Sequence, residues 1–355
     1  MSASGRKVIV AMSGGVDSAV AASLLIDAGY EVTGVFMCLG SAGGADTGSR
    51  GCCSPADAAD ARRVAEMLGI DLFVLDMSDA FAPLIAKFAA EYAAGRTPNP
   101  CIHCNTLIKF GRLLARADSL GVDYIATGHY ARVVDFQGRP AIARAAAGGK
   151  DQSYALFGIS RDVLGRILLP VGEIEDKTAV REIARGLGLI VCDKPDSQEI
   201  CFAPDDNYVS ILASLAPEAL VAGDIIDSSG TVLGQHEGYG RFTIGQRRGL
   251  RIAAGIPMYV TKIDPGQGTI MIGPRDEVMS RHLKAGDANW HADVPEQFSA
   301  TVQIRYNHRG AQAEVRLTGD ETFEAEFHEP VNAITPGQAA VIYEGDRLLG
   351  GGWID

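Results

Sequence analysis

Unbroken apolar runs alternate with helical patterns through the first half of the chain. The VIVAM run starting at Val8 is short and rich in β-branched residues, and reads as a buried strand. It breaks at Ser13-Gly14-Gly15 and resumes at Val16 as VDSAVAASLLIDAG, a helical pattern ended by Gly29. Residues 31–37 predict a second buried strand. Residues 55–68 predict an amphipathic helix, with Ser54 as N-cap, Pro55 at the first helical position and Gly69 as the stop. A third strand is expected at 71–77 and a helix at 79–94 closing at Gly95. Then follow the stiff loop RTPNPCIHCN, a helix starting near Asn105 and running to Leu120, and a fourth strand at 123–127 leading to Gly128-His129-Tyr130. From Lys150 the pattern continues as helices in DQSYALFGI, DVLGRILL and DKTAVREIARGLG, and an extended segment, IVCDKPDSQEICF, follows.

Strands and helices alternating at this spacing predict an α/β fold, a parallel sheet with helices on both faces. Ligands of such sheets lie beyond the carboxyl ends of the strands. The loop after the first strand, Met37 after the second and Thr127-Gly128-His129 after the fourth all fall on that edge. Past residue 206 the pattern changes to short, glycine-punctuated strands. MYVTKIDPGQGTIMIG carries a hairpin turn at DPGQG, and ATVQIRY, AEVRL, TFEAEF and AAVIYEGDRLLGGGWI alternate as in a small barrel or sandwich. Three domains are expected, at 1–206, 207–280 and 281–355.

Composition narrows the classes. A length of 355 residues suits two or three cores, and 47% hydrophobic with 21% charged residues is globular. No apolar run has the length of a membrane span and MSASGRK has no signal-peptide character, so a soluble, cytoplasmic protein is expected, with no membrane partner. A net charge of −12 argues against non-specific nucleic-acid binding but allows a local basic groove, from Arg247, Arg248 and Arg251 or from Arg305, His308 and Arg309. Seven cysteines argue against a disulfide framework.

The strand–glycine–helix order at Ala11, Met12, Ser13, Gly14, Gly15, Val16, Asp17 and Ser18 makes an anion site. Free N–H groups of the first helical turn and the helix dipole face the loop, and Gly14 and Gly15 let phosphate oxygens approach. Ser13 and Ser18 offer hydroxyls and Asp17 can hold Mg²⁺. The lysine of GxxxxGK[ST] is absent. SGGVDS instead resembles the pyrophosphate loop of ATP pyrophosphatases, which cleave ATP between the α- and β-phosphates. The bland alternative is an ordinary strand–helix turn.

Cys101 and Cys104 form C-x-x-C in the proline-stiffened loop. Cys104, expected just ahead of a helix N-terminus with Lys109 one turn on, is placed to have a lowered thiol pKa. No second C-x-x-C completes a structural zinc site, and His103 reads as a surface residue. Cys201, between Ile200 and Phe202 in DSQEICF, is expected on the opposite side of an extended segment from its neighbours. Cys52 and Cys53 read as loop residues, and Cys38 and Cys192 as core or strand-end residues.

SGGVDS, GCCSPADAADARRVAEMLGI, GRTPNPCIHCNTLIKF, ATGHYAR, KDQSYAL, DSQEICF, FTIGQRRGL and the closing GGGWI together resemble the tRNA-specific 2-thiouridylases over essentially the whole chain. That family replaces O2 of the wobble uridine of tRNA by sulfur. The resemblance implies ATP binding by Ala11 to Ser18, Met37 and Gly128, a nucleophile at Cys104, a persulfide carrier at Cys201, and tRNA contacts at Lys150, Asp151, Gln152, Arg305 and Tyr306. It implies a catalytic α/β domain of adenine-nucleotide α-hydrolase type, a small β-rich central domain and a C-terminal β-barrel. It also implies Lys, Glu and Gln tRNAs as acceptors and a cysteine desulfurase or sulfur-relay protein as donor. Some family members have Asp where this chain has Cys101, so Cys101 is either a spare thiol or joins Cys104 and Cys201 as ligands of a [4Fe–4S] cluster with one iron open.

The chemistry is consistent from below. A uridine carbonyl oxygen leaves poorly, and transfer of AMP to it makes a good leaving group. A persulfide can then deliver sulfur to C2, and Cys104 attacks it to leave a Cys104–Cys201 disulfide. Two other readings compete: a pyrophosphatase-loop amide ligase or amidotransferase, and a metal- or iron–sulfur-binding RNA adaptor.

Overall fold

The computed structural model describes residues 5–40, 54–146, 148–195, 200–203 and 208–355. The expectations for Cys52 and Cys53 fall outside them. The chain divides into two units, one of residues 1–84, 101–206 and 346–348, the other of residues 85–100, 207–345 and 349–355.

In the first unit a parallel sheet forms from β1 (Lys7–Ala11), β2 (Glu31–Cys38), β3 (Leu72–Asp76), β4 (Tyr124–Ala126) and β7 (Ile167–Leu168), in the order β3-β2-β1-β4-β7. Helix α1 (Val16–Asp27) follows β1, and α2 (Pro55–Leu68) follows β2. Ser54 caps α2 by accepting the Asp57 N–H, Pro55 opens it, and Gly69 closes it at φ 69°. Such a cap is worth ~1 kcal/mol. Val8 and Val10 of β1 share a core with Val20 of α1, Ala61 and Val64 of α2, and Val180 and Ala184 of α6 (Lys177–Gly186). Ile9 and Ile125 alternate to the other face and are equally buried, and α5 (Leu113–Ser119) packs there against β4. Helices therefore cover both faces, as the alternation predicts.

Three local expectations are corrected. DQSYALFGI and DVLGRILL form short 3₁₀ turns at Ser153–Leu156 and Arg161–Arg166, and the end of the second supplies strand β7. Neither stretch carries an N-cap side-chain bond of the kind that Asp176 gives α6 by accepting the Ala179 N–H. A hairpin of β5 (Ala131–Phe136) and β6 (Arg139–Arg144) was not predicted. It turns at Gln137 and Gly138, both at positive φ, the conformation of a tight hairpin turn. The segment around Cys201 is a turn rather than an extended strand, the Ala203 N–H donating to Ile200 O at 2.9 Å. Phe202 packs edge-on against Phe81 with ring centres 5.5 Å apart.

The second unit holds two β assemblies. The first is a four-stranded sheet, β10 (Tyr259–Asp264), β11 (Thr269–Gly273), β8 (Gly223–Ile226) and β9 (Val232–His236), in that order. The DPGQG turn joins β10 to β11 as an antiparallel hairpin. The second is a closed ring of β12 (Met279–Trp290), β15 (Thr322–Asn332), β14 (Ala311–Gly319), β13 (Gln297–Gln303), β16 (Ala339–Glu344) and β17 (Arg347–Ile354), with β17 returning to β12. Alternate residues such as Val302, Val315, Phe323, Phe327, Ile342 and Ile354 fill its interior. Among the described residues, no helix is long and apolar enough to cross a membrane.

Candidate active site

The sheet order places a topological switch point between β1 and β4, because the chain runs from β1 through β2 to β3 on one side and adds β4 and β7 on the other. The crevice beyond the carboxyl ends of these two strands is where such a sheet binds ligands. The Ala11–Ser18 loop leaves β1 there, and Thr127-Gly128-His129 leaves β4. Gly128 lies against the first turn of α1. A Cβ on it would stand 2.7 Å from Asp17 C and from Ser18 N.

The loop is held by its own residues. Ser18 Oγ accepts the Ser13 N–H at 3.2 Å and donates to Gly15 O at 3.1 Å, which curls the chain around the helix start. Gly14 sits at φ +72°, and a Cβ there would lie 2.3 Å from the Asp57 carbonyl oxygen of α2. Only glycine meets both demands. Met12 is buried, Ser13 is exposed, and Met37 is half-buried near the end of β2.

Distant residues complete the loop, and sequence reasoning missed them. Lys177 Nζ donates to both Asp17 oxygens, at 2.6 and 2.7 Å, and Tyr130 OH donates to Asp17 Oδ1 at 2.7 Å. Lys194 Nζ donates to Gly14 O at 2.8 Å and to Asp57 Oδ1 and Asp60 Oδ2 at 2.6 Å each. Burial works against the Lys194 charge, but hydrogen bonds and charges from Asp57 and Asp60 outweigh it and raise the pKa. The two lysines that brace the loop therefore arrive from 160 and 180 residues away. No local signal marks them beyond the N-cap Asp176 ahead of Lys177.

Cys104 is buried and begins a π-helical stretch, Cys104–Arg112, which continues a short α turn at Pro100–His103. The expectation that Cys104 precedes the helix is corrected. The helical run starts at Pro100, whose fixed φ and missing N–H suit a first position. Cys101, exposed, is then its second residue and Cys104 its fifth, so the dipole argument favours Cys101 over Cys104. Asn105 Nδ2 donates to Ala155 O at 2.9 Å and Thr106 Oγ1 donates back to Ile102 O at 3.0 Å. Phe110 on the same π-helix lies 6.0 Å from the His129 ring, so this segment meets the β4 edge of the crevice. His129 Nδ1 is 2.7 Å from Thr127 Oγ1. Burial, and then the Lys109 charge, push its pKa well below the usual imidazole value, so the ring is neutral.

Cys201 is half-buried in its turn, and both it and Cys104 are thiols. Among the described residues no three His, Cys, Asp or Glu side chains gather as a metal-binding group. The Asp17 carboxylate carries oxygen donors of the kind Mg²⁺ takes, but the Lys177 ammonium holds both oxygens and Tyr130 OH shares Oδ1, so the carboxylate would have to leave that pair to bind the ion.

The residues expected to meet tRNA divide by role. Asp151 accepts from Arg144 Nη1 at 2.9 Å, from the Ala145 and Ser153 N–H groups and from Ser153 Oγ. Gln152 Oε1 accepts the Tyr130 N–H at 2.9 Å, while Lys150 is half-exposed beside them. In the second unit Arg305 Nη1 donates to Asn332 O at 2.9 Å, Gln303 Nε2 donates to Arg305 O and Tyr306 O, and Tyr306 is 45% exposed. Arg247, Arg248, Arg251 and Arg309 are exposed.

A glycine-rich loop at the switch point of a parallel sheet, with α/β and β-rich domains in series, defines a nucleotide-binding protein of the adenine-nucleotide α-hydrolase class. The family described as tRNA methyl transferase HUP domain matches residues 6–205, a PRC-barrel domain of the same name matches residues 210–274, and an aminomethyltransferase β-barrel domain matches residues 280–354. The chain is 49% identical to the tRNA-specific 2-thiouridylase MnmA of Carboxydothermus hydrogenoformans, over 99% of this chain and 98% of that one. It is 44% identical to the enzyme of the same name from Lachnoclostridium phytofermentans, over 98% and 99%. The Geobacter metallireducens enzyme is also 44% identical, over 99% and 97%. The chain belongs to the family of the tRNA-specific 2-thiouridylases.

Proposed function

We propose that the protein is an ATP-dependent tRNA-uridine 2-sulfurtransferase, with residues 1–206 as catalytic domain, 207–280 as central domain and 281–355 as barrel domain. The observation that carries the reading is the anion loop at the β1/β4 switch point, with the buried Cys104 on a helix that packs at the same edge. Ala11 to Ser18, Met37 and Gly128 bind ATP. Asp17, once released from Lys177, would hold Mg²⁺, which would screen the phosphate charge.

The uridine O2 attacks the α-phosphorus and pyrophosphate leaves, so the loop N–H groups serve the departing charge. Cys201, loaded as a persulfide by a cysteine desulfurase or a relay protein, attacks C2 through its outer sulfur. AMP departs with the former O2. Cys104 thiolate then attacks the Cys201 sulfur; the S–S bond breaks, its electron pair stays on the sulfur at C2, and 2-thiouridine and a Cys104–Cys201 disulfide result. A dithiol reductant returns two electrons and two protons to reopen it. Lys150, Asp151, Gln152, Arg305 and Tyr306 contact the tRNA, the first three through a scaffold that Asp151 ties to Arg144.

An ammonia-using ligase on the same loop has no use for Cys104 and Cys201, and an adaptor does not release AMP. The test is turnover of unmodified glutamate tRNA with ATP, Mg²⁺ and sulfide, with nucleosides read by mass spectrometry. Wobble 2-thiouridine together with AMP is expected, with the persulfide-dependent reaction lost in Cys104→Ser and Cys201→Ser. AMP without thiolation, or thiolation that survives Cys104→Ser when persulfide is the donor, contradicts the reading.

A further inference from the structure

The peptide joining Gly14 to Gly15 is held from behind. Lys194 Nζ donates to the Gly14 carbonyl at 2.8 Å while two carboxylates of α2, Asp57 and Asp60, hold the same ammonium at 2.6 Å each. The three acceptors match the three N–H bonds of a lysine, so its position is fully determined. In a trans peptide the C=O and the N–H point in opposite directions. A Gly14 carbonyl turned toward Lys194 therefore turns the Gly15 N–H away from it. Gly14, at φ +72°, has the positive φ on which anion-binding nests of successive N–H groups are built. Its back is closed, since a Cβ would meet the Asp57 carbonyl oxygen at 2.3 Å. The Gly15 N–H thus faces away from Lys194, opposite the side where the Gly14 carbonyl is held.

We propose that Lys194 is a positioning residue for ATP cleavage: by fixing the Gly14 carbonyl it aims the Gly15 N–H at the pyrophosphate portion of the nucleotide. The proposal rests on the ATP reading above. Lys194 does not itself contact the phosphates, because Asp57 and Asp60 occupy its charge. Without it the peptide is free to rotate, and a carbonyl oxygen facing a polyphosphate repels what the N–H attracts.

The test compares Lys194→Met with wild type in the full chain, titrating ATP, inorganic pyrophosphate and AMP by calorimetry, with thermal melting alongside. Lys194→Met keeps the aliphatic stem and removes the donor. Pyrophosphate and ATP should weaken by ten- to a hundredfold, the worth of a charge-assisted hydrogen bond. AMP should bind as in wild type, and Lys194→Arg, which still reaches the carbonyl, should recover most of the loss. Unchanged pyrophosphate affinity in folded Lys194→Met overturns the proposal. So does an equal weakening of AMP and pyrophosphate with a lowered melting point, which marks a bridge that only secures α2. Should Lys194→Met not fold, Lys194→Gln, polar but one atom shorter, carries the same expectation. A wild-type protein that binds neither ATP nor pyrophosphate refutes the ATP reading instead.

Discussion

Gly128→Ala should uncouple nucleotide binding from the rest of the protein. The Gly128 backbone is not at positive φ, so alanine adopts it without strain and the effect is purely steric. The new Cβ would stand 2.7 Å from Asp17 C and Ser18 N and 2.9 Å from Asp17 Cβ. Two of those atoms are backbone in the first turn of α1, so no side chain can swing aside. Restoring ordinary contact, at about 3.5 Å or more, requires the two carboxyl-edge segments to separate by ~1 Å. Overpacking of this kind costs ~1–3 kcal/mol, which lowers the melting temperature of a domain of this size by ~2–4 °C per kcal/mol. Displacing the phosphate-binding turn by ~1 Å also costs ~100-fold in turnover, the usual penalty for misplacing reacting groups by that distance. The assay is AMP release with saturating tRNA and varied ATP, with melting followed in parallel. A variant with wild-type kcat/KM for ATP would refute the placement of Gly128 against the loop.

Three further expectations follow from named contacts. Lys177→Met leaves Asp17 bonded to Tyr130 OH; the Lys177–Asp17 pair is partly exposed, 14% and 32%, so the loss lies between surface and buried values. A fall of ~1–2 kcal/mol in urea unfolding is expected, and an unchanged midpoint would dismiss the pair as a tether. His129, His236 and His308 all have lowered pKa values, caused first by burial, so below about pH 6.5 the unfolded chain binds more protons than the folded one. Stability should therefore fall as the pH is lowered from 7 toward 5, and His129→Gln should flatten the slope; a pH-independent midpoint contradicts the burial. Arg305→Glu should weaken tRNA binding by about tenfold while ATP binding holds, since a single phosphate or base contact is worth roughly that much. Equal tRNA affinity would remove Arg305 from the interface, and melting shows whether its bond to Asn332 O was needed for folding.

What the sequence disclosed was what is local. Ser54, Pro55 and Gly69 delimit α2 because a cap, a first-turn proline and a left-handed stop act within a few residues. SGGVDS announces an anion loop for the same reason. Lys177 and Lys194 were invisible because the fold alone brings them to that loop, across 160 and 180 residues. The helix carrying Cys104 was foreseen, but not its start at Pro100 nor its π-helical winding. Side-chain periodicity does not separate 3.6 from 4.4 residues per turn over Cys104–Arg112, a single short stretch. The turn at Cys201 was misread as extended because Ile200, Cys201 and Phe202 read locally as a strand, although Pro195 and Pro204 flank them.

The central claim is that ATP activates the uridine by transfer of AMP to O2, and an isotope label reports on it directly. Substrate tRNA carrying ¹⁸O at C2 of the wobble uridine would be turned over once, and the released AMP weighed. The account predicts that the label leaves with the phosphate, AMP gaining two mass units for each 2-thiouridine formed. Unlabelled AMP beside thiolated tRNA would contradict it, because O2 would then have departed without ever bonding to phosphorus.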